Sequence, residues 1–196
     1  MNQKKHHIFQ TVLLASLLSS CAAIGSKTLY KTDVPIETDN WGIAPLETVY
    51  HINQFHFWET NEYFDNSIKE SFLNYGIGKP VQLNKPLSYE DSNSSYIKKL
   101  CHEKKLKGLI IPKLIYVPVN YRVIGSNYRN YFDTVVYLKL FNKKGELVMH
   151  TVHNTYEGNT YLTYPKPEQA VYDGAKGAFK QLAKELGLKK KYESNN

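Results

Sequence analysis

Seven histidines, two cysteines and eighteen acidic residues are the groups in this 196-residue chain with enough chemistry to act on a ligand. Their spacing decides among them. His150 and His153 stand three apart, which suits metal binding on a helix. They fall, however, in a run from Leu147 to Thr155 that reads as a strand, where positions an odd number apart point to opposite faces. Surface or hairpin-edge histidines are therefore expected, and no metal centre. His51 and His56 flank Phe55-His56-Phe57-Trp58, a run that suits ligand stacking or core packing beneath a loop. Glu90-Asp91 precedes a helical pattern and reads as a cap or solvated loop. His102 and several serines are present without a Gly-x-Ser-x-Gly elbow, and Gly76-Ile77-Gly78 lacks the rest of a phosphate-binding pattern. Cys101, beside Leu100, reads as a small buried apolar residue. Cys21 remains, placed after small Ser19 and Ser20 at the end of an apolar run, where a thiol can be turned into a thioether.

Lys4, Lys5, His6 and His7 make a positive start, and Ile8 to Leu18 follow as an apolar stretch of 11 residues. A membrane-crossing helix takes about 20, so this stretch has the length of a secretory leader. Leu18-Ser19-Ser20-Cys21 resembles a bacterial lipobox. The resemblance implies removal of residues 1–20 and acylation of Cys21 with two or three chains. One chain binds a bilayer marginally and two hold stably, at about 0.8 kcal/mol per buried CH₂. In the enterobacterial sorting pattern an Asp after the cysteine retains a lipoprotein at the inner membrane. Ala22 implies the outer membrane, and the lack of an acidic cluster after Cys21 implies its periplasmic face.

Losing two lysines and no acid with the leader takes the formal charge from +7 to +5 and leaves 176 residues, enough for one domain with a sizeable core. With Cys21 acylated, Cys101 has no intramolecular partner, so packing must supply stability. Sixteen tyrosines and eight phenylalanines need a core or a contact surface.

Residues 21–40 are polar without a sustained period and read as a lipidated, flexible tether of about 25 Å. Trp41 opens the domain, residues 41–188, and 189–196 form a basic, polar tail. Gly42 to Leu46 and Val49 to Ile52 read as a first strand, with Pro45 as its candidate break. Phe64, Ile68, Phe72 and Tyr75 form one helical stripe, stopped by Gly76. Val81 and Leu83 mark a short strand. Ser92 or Ser94 can cap a second helix with Tyr96, Ile97, Leu100 and Cys101 inward, ended by Gly108. Leu109 to Val117 has the unbroken apolar character of a central strand, with Pro112 requiring one locally unpaired edge. Thr134 to Phe141 and Leu147 to Thr155 make a hairpin around Asn142-Lys143-Lys144-Gly145. Val171, Ala175, Ala178, Phe179, Leu182 and Leu186 are the buried stripe of a closing helix stopped by Gly187. The expected fold is α/β: a single domain with a mixed sheet of about five strands and three helices, in the order β-α-β-α-β-β-β-α.

That order behind a lipobox resembles the periplasmic lipoproteins whose domain is related to the N-terminal domain of the translocation protein TolB. Curli-secretion lipoproteins and outer-membrane activators of penicillin-binding proteins are among them. Ile43-Ala44-Pro45-Leu46, Ile68 to Leu73, Leu109-Ile110-Ile111-Pro112, the hairpin around Gly145 and the closing helix carry the resemblance, over residues 41–188. It rests on pattern order and transfers no functional residue. The long transmembrane hairpins of the curli pore are not evident.

Tyr121, Arg122, Tyr128, Arg129 and Tyr131 interleave the two residue types enriched at interface hot spots. They are the candidate partner contact. The expected function is thus a non-enzymatic binding or assembly module, held to the membrane through Cys21 and contacting an envelope protein or polymer, with no cofactor. An envelope hydrolase or small-ligand carrier with a pocket near His51, His56 and Trp58 is the alternative. Lys98, Lys99, Lys104, Lys105, Lys107 and the tail would suit nucleic acid in a cytoplasmic protein. For an exported one they read as a solvated face, or as weak attraction to anionic lipid, sugar or peptidoglycan.

Overall fold

The computed structural model of the chain describes residues 25–49, 60–90, 92–121, 129–158 and 166–191. In chain order the elements are β1 (Ser26–Lys31), β2 (Trp41–Ile43), β3 (Glu47–Val49), α1 (Thr60–Asn74), β4 (Val81–Gln82), α2 (Ser94–Lys104), β5 (Gly108–Tyr121), β6 (Arg129–Asn142), β7 (Leu147–Asn154), the single turn α3 (Thr155–Gly158) and α4 (Pro167–Glu185). The strands form one mixed sheet in the order β1-β7-β6-β5-β2-β4, with β3 also on β5. Pairings of β2, β3 and β4 are parallel. The pairings β1–β7, β7–β6 and β6–β5 are antiparallel. The α/β class and the three longer helices are as expected. Seven strands among the described residues replace the expected five or so.

Alternation along the strands splits the core in two. Ile110, Leu114, Val136, Leu138 and Leu140 face α1 and α4, meeting Phe64, Ile68, Phe72, Val171, Ala175, Phe179 and Leu182. Both helical stripes legible in the sequence are fully buried except at their C-terminal ends, where Tyr75 and Leu186 are partly buried. Phe72 stacks 5.1 Å from Phe179 and lies edge-on to Trp41 at 6.0 Å. On the other face Leu109, Ile111 and Phe141 meet Ile97 and Cys101 of α2 and the segment carrying Leu83, Leu87 and Tyr89. Cys101 is the buried residue its neighbours predict, and burial pushes its thiol up to about 11.

Pro112 is accommodated as its chemistry demands. It pairs Leu138 on one side in unbroken register. On the other side β2 ends opposite Ile110 and β3 begins opposite Lys113. The missing N–H of Pro112 therefore falls in the gap that Pro45 opens between β2 and β3.

Four boundaries are corrected. The tether expected through residue 40 gives way at Ser26, because β1 pairs β7 and continues as Thr32 N–H donating to Val148 O at 3.0 Å. Further on, Glu37 pairs with both Lys107 and Lys143. The cap of α2 is Asn93 rather than Ser92 or Ser94: its side chain accepts from Tyr96 N–H. That helix ends at Lys105, with φ +56°, and Gly108 instead starts β5. The hairpin strand expected from Thr134 begins at Arg129, and its partner runs on to Tyr121.

Candidate functional site

The two longest strands outrun the sheet. β7 ends where Asn154 meets Val135, and β3 ends where Val49 meets Ile115. Beyond that line residues 116–121 and 129–134 pair only with each other among the described strands. Six residues at about 3.3 Å each make a two-stranded ribbon about 20 Å long. At its end Tyr121 stands opposite Arg129, and Val119 opposite Tyr131, all register positions on one face. The structure thus brings together three of the five candidate contact residues. Arg122 and Tyr128 lie outside the described residues, as do Cys21, the leader and the alternative trio His51, His56 and Trp58.

The root of the ribbon is fastened by polar groups that the sequence does not single out. Thr155 Oγ1 accepts from Thr134 N–H at 2.9 Å and donates to Asp133 Oδ1 at 3.0 Å. Thr134 Oγ1 donates to Ala170 O of α4 at 2.8 Å. All three side chains are buried. A two-stranded ribbon is marginal alone; this network and the burial of Tyr116 tie its base to the core.

A second cluster crosses the sheet face beside α2. Tyr89 is buried, and a 2.5 Å hydrogen bond joins its hydroxyl to His150 Nε2. Lys139 Nζ lies 4.2 Å over the Tyr89 ring and donates to its backbone carbonyl at 2.6 Å. Glu47 accepts from Tyr89 N–H at 2.8 Å, and Lys113 pairs with Glu90. Burial, then the Glu90 charge, push the phenol above its usual range. Burial, then Lys139, pull the His150 imidazole below its own, against Glu90. Both shifts favour a protonated phenol donating to a neutral imidazole. With Tyr89 almost fully enclosed, this arrangement serves to clamp the 83–90 segment to the sheet.

His153, on the opposite face as alternation requires, bonds Ser26 Oγ at 2.7 Å. Both histidines of the pair are partly buried and hydrogen-bonded, which corrects the expectation of surface positions. No group of three or more His, Cys, Asp or Glu able to hold a metal occurs among the described residues. No described helix is long and apolar enough to cross a membrane. Glu90 is exposed outside any helix or strand, as a solvated loop requires, and its hydrogen bond from Lys113 holds it below the usual carboxylate range.

A third feature is a hollow of about 540 Å³ at the far end of the molecule, lined by Tyr75, Lys180, Lys184, Gly187, Leu188, Lys189 and Lys190. The tail lysines were legible as a charge run, but the turn that sets them beside α4 was not.

No family model matches the chain, and no curated protein matches it. Among solved structures, it is similar to a PelC dodecamer variant from Paraburkholderia phytofirmans at 6% identity and TM-score 0.44, covering 84% of this chain and 98% of that one. It is also similar to a putative neuraminyllactose-binding hemagglutinin homolog from Helicobacter pylori, at 10% identity and TM-score 0.42, with 81% and 88% covered. A hypothetical protein from Chlamydia trachomatis gives 10% and 0.41, with 76% and 97% covered.

Proposed function

We propose that this chain is a lipid-anchored, non-enzymatic binding or assembly module of the bacterial envelope, at the periplasmic face of the outer membrane, with the β5–β6 ribbon as its contact surface. What supports the anchor is Leu18-Ser19-Ser20-Cys21 behind a leader-like run. What supports the contact is the ribbon itself: paired strand backbone projecting past the sheet, with Tyr and Arg at its end. Open strand edges recruit partners by strand addition, and Tyr and Arg anchor interfaces.

The start of β1 sharpens this reading. Ser26 is five residue steps from Cys21, a reach of at most about 18 Å. Ser26 pairs His153, which pairs Val136, which pairs Leu114. From that level the ribbon runs seven residues to Tyr121, about 23 Å. β1 runs in the direction of β6, so its first residue faces the ribbon end. The ribbon therefore extends at least as far that way as the acylated terminus can, and its partner would lie in or against the same membrane.

Photo-crosslinking from Tyr131 in intact cells tests the proposal. A discrete adduct in the membrane fraction, lost when Cys21→Ala frees the protein, is the expected result. Absence of any adduct, under conditions that trap a known envelope complex in parallel, would overturn it.

A further inference from the structure

We propose that the lysine-lined hollow is a binding site for a multiply charged phosphate group. Three pieces of chain build it. Lys180 and Lys184, one turn apart on α4, form one wall, Tyr75 just past α1 forms another, and residues 187–190 close it. The closing segment is not a loose tail. Gly187, at φ +68°, turns the chain back, and Leu188 N–H donates to Ala183 O at 2.9 Å. Leu188 packs on the core, and Lys191 N–H donates to Asn74 O at 2.9 Å. Lys189 and Lys190 are thus held between two anchored residues, so a ligand meets cations that are already ordered.

Charge decides what the hollow suits. Glu185, next to Lys184 in sequence, is turned to Lys31 at 3.0 Å. Lys180, Lys184 and Lys189 have no ion pair among the described residues. A helix C-terminus carries about half a negative charge; the ends of α1 and α4 together offset about one of the four lysines. Complementing a helix end accounts for Lys184, in the last turn of α4, but not for Lys180 or Lys189. The volume is within the range of small-ligand pockets, about 300–1,000 Å³. Ammonium groups act on phosphate as point charges, and several converging on one hollow suit a ligand that concentrates more than one negative charge. No arginine lines the hollow. The phosphate could come from a soluble or glycan-borne group or from a lipid headgroup, and the chemistry is shared.

Calorimetric titration of the full-length protein with pyrophosphate tests this, in phosphatidylcholine nanodiscs at low and moderate salt. Saturable binding that weakens with salt and raises the melting temperature is expected. Lys180→Gln with Lys189→Gln should weaken it by roughly fivefold per lysine, as for an exposed ion pair near 1 kcal/mol. Without ligand the same variant should melt no lower than wild type, since like charges are removed. A purely structural role for these lysines predicts the reverse: a lower melting temperature and unchanged pyrophosphate binding, which would overturn the proposal. So would no saturable binding at millimolar pyrophosphate in low salt. Repeating the titration in nanodiscs containing phosphatidic acid, whose phosphomonoester headgroup can carry two charges, separates the sources. A weaker pyrophosphate affinity there assigns the site to headgroups, and an unchanged one assigns it to non-lipid phosphate; both retain the site.

Discussion

Tyr89 and His150 lie 61 residues apart in sequence, and their hydrogen bond makes the stability of the sheet face sensitive to acid. His150 is held below its ordinary range by burial and Lys139. The unfolded chain then takes up the proton first as pH falls, so His150 favours the folded state fully above about pH 6.5 and loses that contribution below it. Three carboxylates act in the same direction at lower pH. Glu90, lowered by Lys113, and Glu185, lowered by Lys31, stabilise above their ordinary carboxylate values and lose that contribution on protonation. Glu37, brought to about 2 by hydrogen bonds from Lys107 and Lys143, does likewise. Urea unfolding from pH 7.5 to 5.5 should show stability falling with acid, with a shallower slope for His150→Gln. An equal slope in that variant would remove His150 from the account. Thr155→Val, which keeps shape but deletes the hydroxyl joining Thr134 N–H to Asp133, should cost about 1–3 kcal/mol by the same assay.

Elements differ in how openly the sequence declares them. The stripes of α1 and α4 recur at helical spacing, and every residue of that pattern from Phe64 to Phe72 and from Val171 to Leu182 is fully buried. Pro45 and Pro112 likewise marked a break and an unpaired edge, since a missing N–H has few places to go. β1 gave no such signal. Ser26, Thr28 and Lys31 make polar contacts with His153 of β7 and with Gln181 and Glu185 of α4, while Leu29 and Tyr30 are exposed. An edge strand held by its backbone and by polar side chains lacks apolar alternation, and so it read as tether. The Tyr89–His150 clamp and the lysine hollow were hidden for another reason: each joins segments distant in sequence. The hairpin turn was legible at Gly145, but its second constraint was not. A Cβ there would sit 2.1 Å from Ser94 O of α2, at φ +80°. Gly145→Ala should therefore lower stability by about 1–3 kcal/mol through overpacking, beyond the left-handed strain. Deleting residues 26–31 should destabilise the domain in thermal unfolding, whereas loss of a tether would leave the melting temperature unchanged.

At the scale of the whole molecule the chain has two unlike ends. One carries the start of β1 and the projecting ribbon; the other carries the ends of α1 and α4, the β6–β7 turn and most of the lysines. Register fixes this polarity, because Ser26 pairs at the level of Val136 and Lys31 at the level of Leu140. An acylated Cys21 within about 18 Å of Ser26 would hold the first end at the bilayer and turn the second away from it. Contact at the membrane and phosphate capture at the opposite pole then belong to one arrangement, in which the lipid supplies location and raises the local concentration of partners. All of it depends on what Cys21 becomes. Intact-mass analysis of the native protein purified from the membrane fraction reads that directly. The account predicts a chain beginning at Cys21 and heavier than its amino acids by two or three acyl chains and their glycerol. A chain retaining Met1, or one beginning elsewhere without lipid, would contradict it.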